Sequence, residues 1–162
     1  MPRHSLLEYF RADSRPGDEI AVVWRRGYRT IRWSYGELFA RAASFSIVLR
    51  SRGVGKGDRV LLWGENSGEW IAAFLGCMFR GAIAVPMDAI AEKGFAGRVA
   101  EQAGVKLAVV GREISSPLED SRTLVMEELS EVAAARPTSE FLPEEAGGSD
   151  PIEIVFTSGT TA

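Results

Sequence analysis

The chain has 162 residues, with Lys+Arg 19 against Asp+Glu 22 for a formal charge of −3, 46% hydrophobic and 25% charged residues. This is the ordinary soluble globular class, which excludes disordered and fibrous architectures, and a single domain of this size buries enough surface to hold a core without covalent staples. Cys77 is the only cysteine and His4 the only histidine. A disulfide framework and a cysteine-rich metal site are therefore excluded within the chain and a reducing compartment fits, while any triad, His-based metal centre or His general base rests on His4 alone, whose place near a terminus reads as a solvated side chain. The mildly acidic balance gives no electrostatic reason to expect nucleic acid as a partner.

Residues 1–19 carry charge from Arg3 onward and no apolar core, so they read as neither a secretory signal nor a membrane anchor. The longest apolar stretch, residues 70–79, stops at Arg80, well short of the ~20 residues of a transmembrane segment. A soluble, cytoplasmic chain is the expectation. Residues 5–11 offer a short helix with Leu6, Leu7 and Phe10 on one side, and a turn follows at residues 15–18. Residues 20–24 and 29–33 are β-branched or aromatic runs around Arg25, Arg26 and Gly27, which predicts a β-hairpin.

Ser34 with Glu37 three residues on is a capping box: the hydroxyl accepts a helix-start N–H and the carboxylate reaches back. Leu38, Ala42, Phe45 and Leu49 then share one helical face, and Gly53 is a left-handed stop. Residues 59–63 and 82–85 are short apolar strands flanking an apolar helix at 70–79, capped by Asn66 or Ser67 and ended by Gly81. The rhythm repeats with Phe95, Val99 and Ala103 on one helix face, a stop at Gly104 and a strand at 107–110. Three strands joined by two crossovers predict an α/β fold: a mostly parallel, doubly wound sheet with flanking helices and an N-terminal hairpin. Beyond it come a strand at 123–125, a helical stretch at 126–135, a polar linker with Pro137, Pro143, Gly147 and Gly148, and a last strand at 152–156.

Two glycine-containing segments invite a phosphate reading. Gly53-Val54-Gly55-Lys56-Gly57-Asp58 follows a helix and precedes a strand, the reverse of a phosphate loop, and no Ser or Thr follows its Gly-Lys pair. It reads as a helix stop and turn. The terminal Thr157-Ser158-Gly159-Thr160-Thr161-Ala162 has the right context, because it leaves a strand and gathers four hydroxyls around one glycine. Hydroxyls and backbone N–H groups converging on such a turn form a nest for phosphate, although composition alone equally allows a frayed end. Asp58, Glu65 and Asp88 have no spacing that makes a metal site, Trp24, Trp33, Trp63 and Trp70 read as core packing, and Cys77 reads as a small core residue.

Several segments together resemble the adenylate-forming superfamily of AMP-binding acyl-CoA synthetases and ligases. FTSGTTA resembles the opening of its Ser/Thr/Gly phosphate loop, IRWSYGEL its Tyr-x-Glu-Leu segment, and RGVGKGDRVLLWGENSGEWIAAFLGCMFRGAIAVPMD its Gly-Asp-Arg-Val strand entry, Asn-Ser helix start and Val-Pro strand. The resemblance runs from Ser34 onward and is least diagnostic over residues 115–148. It implies that residues 1–162 are an incomplete N-terminal part of a large AMP-binding domain, with the rest of its own chain as the missing partner. It further implies a parent that activates a carboxylic acid, guessed to be fatty acid-type, with ATP and Mg²⁺ and passes the acyl group to a thiol such as coenzyme A. Thr157, Ser158, Gly159, Thr160 and Thr161 would then hold nucleotide phosphates; no catalytic or metal-binding residue is implied. Ala162 stands where the family loop usually has Gly, and the loop-closing Pro-Lys, the adenine and ribose sites and the C-terminal lysine have no counterpart. The isolated chain is therefore expected to be inactive. The competing expectation is a free-standing α/β binding module without catalysis, which a natural stop codon after Ala162 would favour.

Overall fold

The computed structural model describes residues 17–129 and 147–156. The expected helix at 5–11, most of the stretch at 126–135, the polar linker up to residue 146 and the terminal residues 157–162 lie outside the described residues.

The chain enters through a hairpin of β1 (Ile20–Arg26) and β2 (Arg29–Ser34). Its two-residue loop has Gly27 first with φ 58, while Tyr28 keeps a negative φ; glycine at that place suits a turn whose twist matches the strands. Ser34 then caps α1 (Tyr35–Ser51), its Oγ accepting from Glu37 N at 3.2 Å while Glu37 Oε2 accepts from Ser34 N at 2.9 Å. Ser34→Ala removes half of this reciprocal box and should cost about 1 kcal/mol, read as a lower urea midpoint with an unchanged slope.

β3 (Arg59–Trp63), α2 (Gly68–Phe79), β4 (Ile83–Met87), α3 (Lys93–Ala103) and β5 (Val105–Val110) complete two crossovers, and β6 (Thr123–Val125) adds an edge. The sheet order is β4-β3-β5-β6, all parallel. β3 is central, so the chain moves outward to β4 and then back across β3 to β5. Crossovers of one hand running in opposite directions must put their helices on opposite faces, and they do. Ala73 and Cys77 of α2 pack with Val60, Leu62, Ala84 and Val109, together with Phe45 and Leu49 of α1. On the other face Ala96, Val99 and Ala100 of α3 pack with Leu61, Trp63, Val85 and Val110. Both faces are covered, which is why the strands read as continuous apolar runs.

The glycines expected to stop helices do so: Gly53, Gly81 and Gly104 all have positive φ, and Ser67 rather than Asn66 caps α2 by accepting from Trp70 N at 3.1 Å. The stretch at 126–135 opens as a 3-10 turn, Met126–Glu128.

One expected element is corrected. Residues 152–156 are not a full strand but make a single parallel bridge, Glu153 to Ala84, with Ala84 N donating to Ile152 O and Ile154 N donating to Ala84 O. The next rung would need an N–H at position 86. Pro86 has none, so the ladder ends there. Residues 152, 154 and 156 remain half-buried and 153 and 155 exposed, which keeps the segment extended along the free edge of β4.

Candidate nucleotide-binding crevice

In an open parallel sheet, ligands bind beyond the carboxyl ends of adjacent strands whose connections leave toward opposite faces. In the order β4-β3-β5-β6 the central β3 leads to α2 on one face, while its neighbours lead to the other, β4 to α3 and β5 to the loop carrying Ile114 and Leu118. Three loops lie at this end of the sheet: residues 64–67 after β3, 88–92 after β4 and 111–119 after β5. The extended segment at 152–156 runs parallel to β4 and heads toward the same end.

Each wall is fixed by particular groups. Trp63, the last residue of β3, is 3% exposed, and its Nε1 donates to the Asp88 carbonyl at 2.9 Å, tying the second loop to the sheet. The Asp88 carboxylate folds back on its own loop and accepts from Ile90 N at 3.1 Å. On the first loop, a Cβ added to Gly64 would stand 3.1 Å from the Met126 side chain and 3.4 Å from Gly111 N. The loop therefore has no room to swell toward β5. Phe156 and Ile154 pack onto the cluster that contains Met87 and Trp63, which anchors the segment leading into Thr157.

The start of α2 is braced from behind by the hairpin. A Cβ on Gly68 would meet the rings of Trp24 and Trp33 at 2.6 and 2.7 Å, and those rings meet edge to face with centroids 4.7 Å apart. Glu69, 4% exposed, pairs with Arg26 of β1 at 3.0 Å. The sequence pointed to neither the pair nor the Trp63 bond; an acidic residue inside an apolar helix start was the available signal for the first.

The candidate residues separate cleanly by position. Asp58 lies at the amino end of β3, away from the crevice, where its Oδ2 accepts from Gly55 N at 2.8 Å and Lys106 Nζ at 2.7 Å. Burial alone would raise its pKa, but the Lys106 and Gly55 hydrogen bonds and the Lys106 and Arg59 charges outweigh that and lower it below 3.8. A lowered native pKa stabilises the fold above the unfolded value and loses that contribution as pH falls through the native one. Asp58→Asn should therefore lower stability at pH 7 and flatten the decline below pH 3.8, as measured by urea titrations across that range. The Gly53 to Asp58 segment is the turn expected, with Val54 N donating to Leu49 O and Gly57 N to Gly81 O.

Glu65 and Asp88 do sit on the loops after β3 and β4, yet among the described residues no group of three or more His, Cys, Asp or Glu side chains could hold a metal ion. Trp24, Trp33 and Trp63 are buried core residues, and Trp70 stacks on Phe74 with ring centroids 5.7 Å apart. Cys77 is fully buried and burial pushes its thiol pKa up, as expected of an inert core cysteine. Thr157, Ser158, Gly159, Thr160 and Thr161, like His4, lie outside the described residues.

The rim offers little to an anion. The polar side chains of the loops after β3 and β4 are Glu65, Asn66, Ser67, Asp88 and Glu92, none cationic; Arg112 after β5 pairs with Glu128 at 3.4 Å, and α2 begins with its own Ser67 cap and the acidic Glu69. The residues that follow Phe156 in sequence, Thr157, Ser158, Thr160 and Thr161, carry neutral hydroxyls that could donate to a phosphate. Four hydroxyl residues and one glycine are the donor chemistry such a ligand needs.

Comparison with known proteins identifies the family. The family described as "AMP-binding enzyme" matches residues 9–162. Phenyloxazoline synthase MbtB of Mycobacterium tuberculosis is 33% identical over 94% of the chain, which spans 10% of that protein. The long-chain-fatty-acid–CoA ligase FadD13 of the same species is 30% identical over 81% of the chain, which spans 28% of it. The AMPPNP-bound form of the nonribosomal peptide synthetase FmoA3 superposes with a TM-score of 0.81 and 30% identity, covering 97% of the chain and 16% of that structure. The chain thus spans about a tenth to a quarter of the length of these relatives. With the family pattern matched over nearly its whole length, this chain belongs to the AMP-binding enzyme family.

Proposed function

We propose that the chain is the N-terminal part of the AMP-binding domain of an enzyme that joins a carboxylic acid to the AMP portion of ATP and then transfers the acyl group to a thiol. The observation that carries this reading is positional. In sequence the hydroxyl-rich Thr157 to Thr161 run follows an extended segment that runs parallel to β4 toward its carboxyl end, the end at which open parallel sheets bind ligands.

In the first half-reaction a carboxylate oxygen attacks the α-phosphorus, the bond to the bridging oxygen breaks, and pyrophosphate leaves. Two anions must approach, so donors aimed at the phosphates supply the stabilisation. Thr157, Ser158, Gly159, Thr160 and Thr161 hold the β and γ phosphates in this reading. Mg²⁺, when bound, offsets phosphate charge, and none of the described residues is assigned to it. In the second half-reaction the thiol sulfur attacks the acyl carbon and AMP leaves.

An acyl-CoA synthetase acting on a fatty acid, with coenzyme A as acceptor, is supported by the likeness to FadD13. The likeness to MbtB and FmoA3 supports a second reading in which the thiol is carried on a protein. Carboxylate-dependent ATP–pyrophosphate exchange by the full-length protein, followed by acceptance of the acyl group by coenzyme A or by a carrier-bound thiol, tests the reading and separates the two. Residues 1–162 alone should show no exchange; exchange by the purified 162 residues would contradict the assignment of the remaining nucleotide contacts to other parts of the protein.

A further inference from the structure

The hairpin carries a concentration of charge that the crevice does not use. Residues 20–33 hold four arginines and no acidic residue in a chain whose net charge is −3. Arg26 turns inward to Glu69. Arg25, Arg29 and Arg32 are exposed and make no ion pair or side-chain hydrogen bond among the described residues. The antiparallel register sets Val23 opposite Arg32 and Arg25 opposite Thr30, so these side chains share the outer face, while Trp24 and Trp33 point to the core. Arg29 and the fully exposed Tyr28 sit at the tip, and Ile20 and Val23 are 54% and 53% exposed.

We propose that this outer face is a docking surface for an anionic lipid bilayer, on which the hairpin lies peripherally. Charge complementarity selects an anionic partner, because Arg25 and Arg32 on this face and Arg29 at the adjoining tip make no ion pair among the described residues. The exposed apolar groups choose the lipid. A nucleic acid takes the arginines but gives little to Ile20 and Val23, whereas a bilayer takes the arginines at its headgroups and the aliphatic side chains just below them. Tyr28, amphipathic and at the tip, suits the boundary between the two. Since the chain as a whole is acidic, the patch also fixes which side turns toward the bilayer. No helix among the described residues is long and apolar enough to cross a membrane, so the attachment is at the surface.

The test is co-sedimentation of the full-length protein with phosphatidylcholine vesicles made with and without phosphatidylglycerol, at low and high salt. Binding is expected only with phosphatidylglycerol and should fall as salt screens the headgroups. Arg25→Gln/Arg29→Gln/Arg32→Gln should lower the partition coefficient about 100-fold, and Arg32→Gln alone about fivefold. These side chains make no ion pair or side-chain hydrogen bond among the described residues, so the melting temperature should stay unchanged. Should the triple variant fold poorly, the single variant decides. Tyr28→Ser should weaken binding without changing its salt dependence. Equal binding to neutral vesicles, undiminished binding of Arg32→Gln, or retention of single-stranded RNA in preference to anionic vesicles overturns the proposal.

Discussion

Phe45→Ala should destabilise the fold by about 3–5 kcal/mol, the range for emptying a buried aromatic site. Phe45 is 1% exposed and belongs to the core cluster in which α1 and α2 meet the sheet. Its ring needs the missing side chain of Gly76, where an added Cβ would stand 2.6 Å from Phe45 Cδ1 and 2.9 Å from the Ala42 carbonyl. Gly76→Ala should therefore cost about 1–3 kcal/mol by overpacking, even though alanine is the better helix former. The two sites share one contact, so their effects should not add. With the Phe45 ring gone, Gly76→Ala loses its worst clash but keeps the one with Ala42 O, and its cost should shrink without vanishing. Urea denaturation of both single variants and the double variant reads this directly, and simple additivity would show that the helices separate to absorb either change.

The second large effect belongs to the proposed phosphate loop. Ser158→Ala and Thr160→Ala in the full-length enzyme should each slow acyl-adenylate formation by ~10²-fold or more, the loss expected when one preorganised donor to the transition state is removed. Neither hydroxyl is replaced by a charge, so the change reports donation rather than repulsion. Single-turnover measurement of adenylate formation at saturating ATP checks it, and an unchanged rate would leave these residues as a linker.

Local rules made most of the fold legible. β3 falls where its apolar run falls, the Ser34 and Glu37 pair starts α1, and Gly53, Gly81 and Gly104 end helices because only glycine takes their backbone angles without strain. β5 begins two residues before the apolar run because Lys106 interrupts it. That side chain is exposed at the strand's start and finds Gly53 O and Asp58 there, a partner set more than forty residues away in sequence. The end of the 152–156 ladder depends on Pro86 in the same way: the proline is plain in the sequence, but its effect appears only once the register with Ala84 is known.

The carboxyl end of the sheet was legible in outline through the alternation of strands and helices, while the hydroxyl-rich run at 157–161 lies outside the described residues. The rim of that end was not legible. The Trp63 to Asp88 bond and the Arg26 to Glu69 pair join residues whose separate patterns read as core aromatic, loop acid, hairpin cation and helix-start acid. Such contacts are set by topology, and periodicity carries no record of them.

In the proposed mechanism Thr157, Ser158, Gly159, Thr160 and Thr161 act on the departing pyrophosphate and hence only in the first half-reaction. The direct measurement is the rate of thiol transfer from a synthetic acyl-adenylate by wild type, Ser158→Ala and Thr160→Ala. Pyrophosphate has left before the thiol attacks, so these donors have nothing to stabilise in that step, and the three rates should be equal while adenylate formation differs by ~10²-fold. Losses of the same size in both steps would contradict the claim and assign these hydroxyls to the acyl site or to the fold.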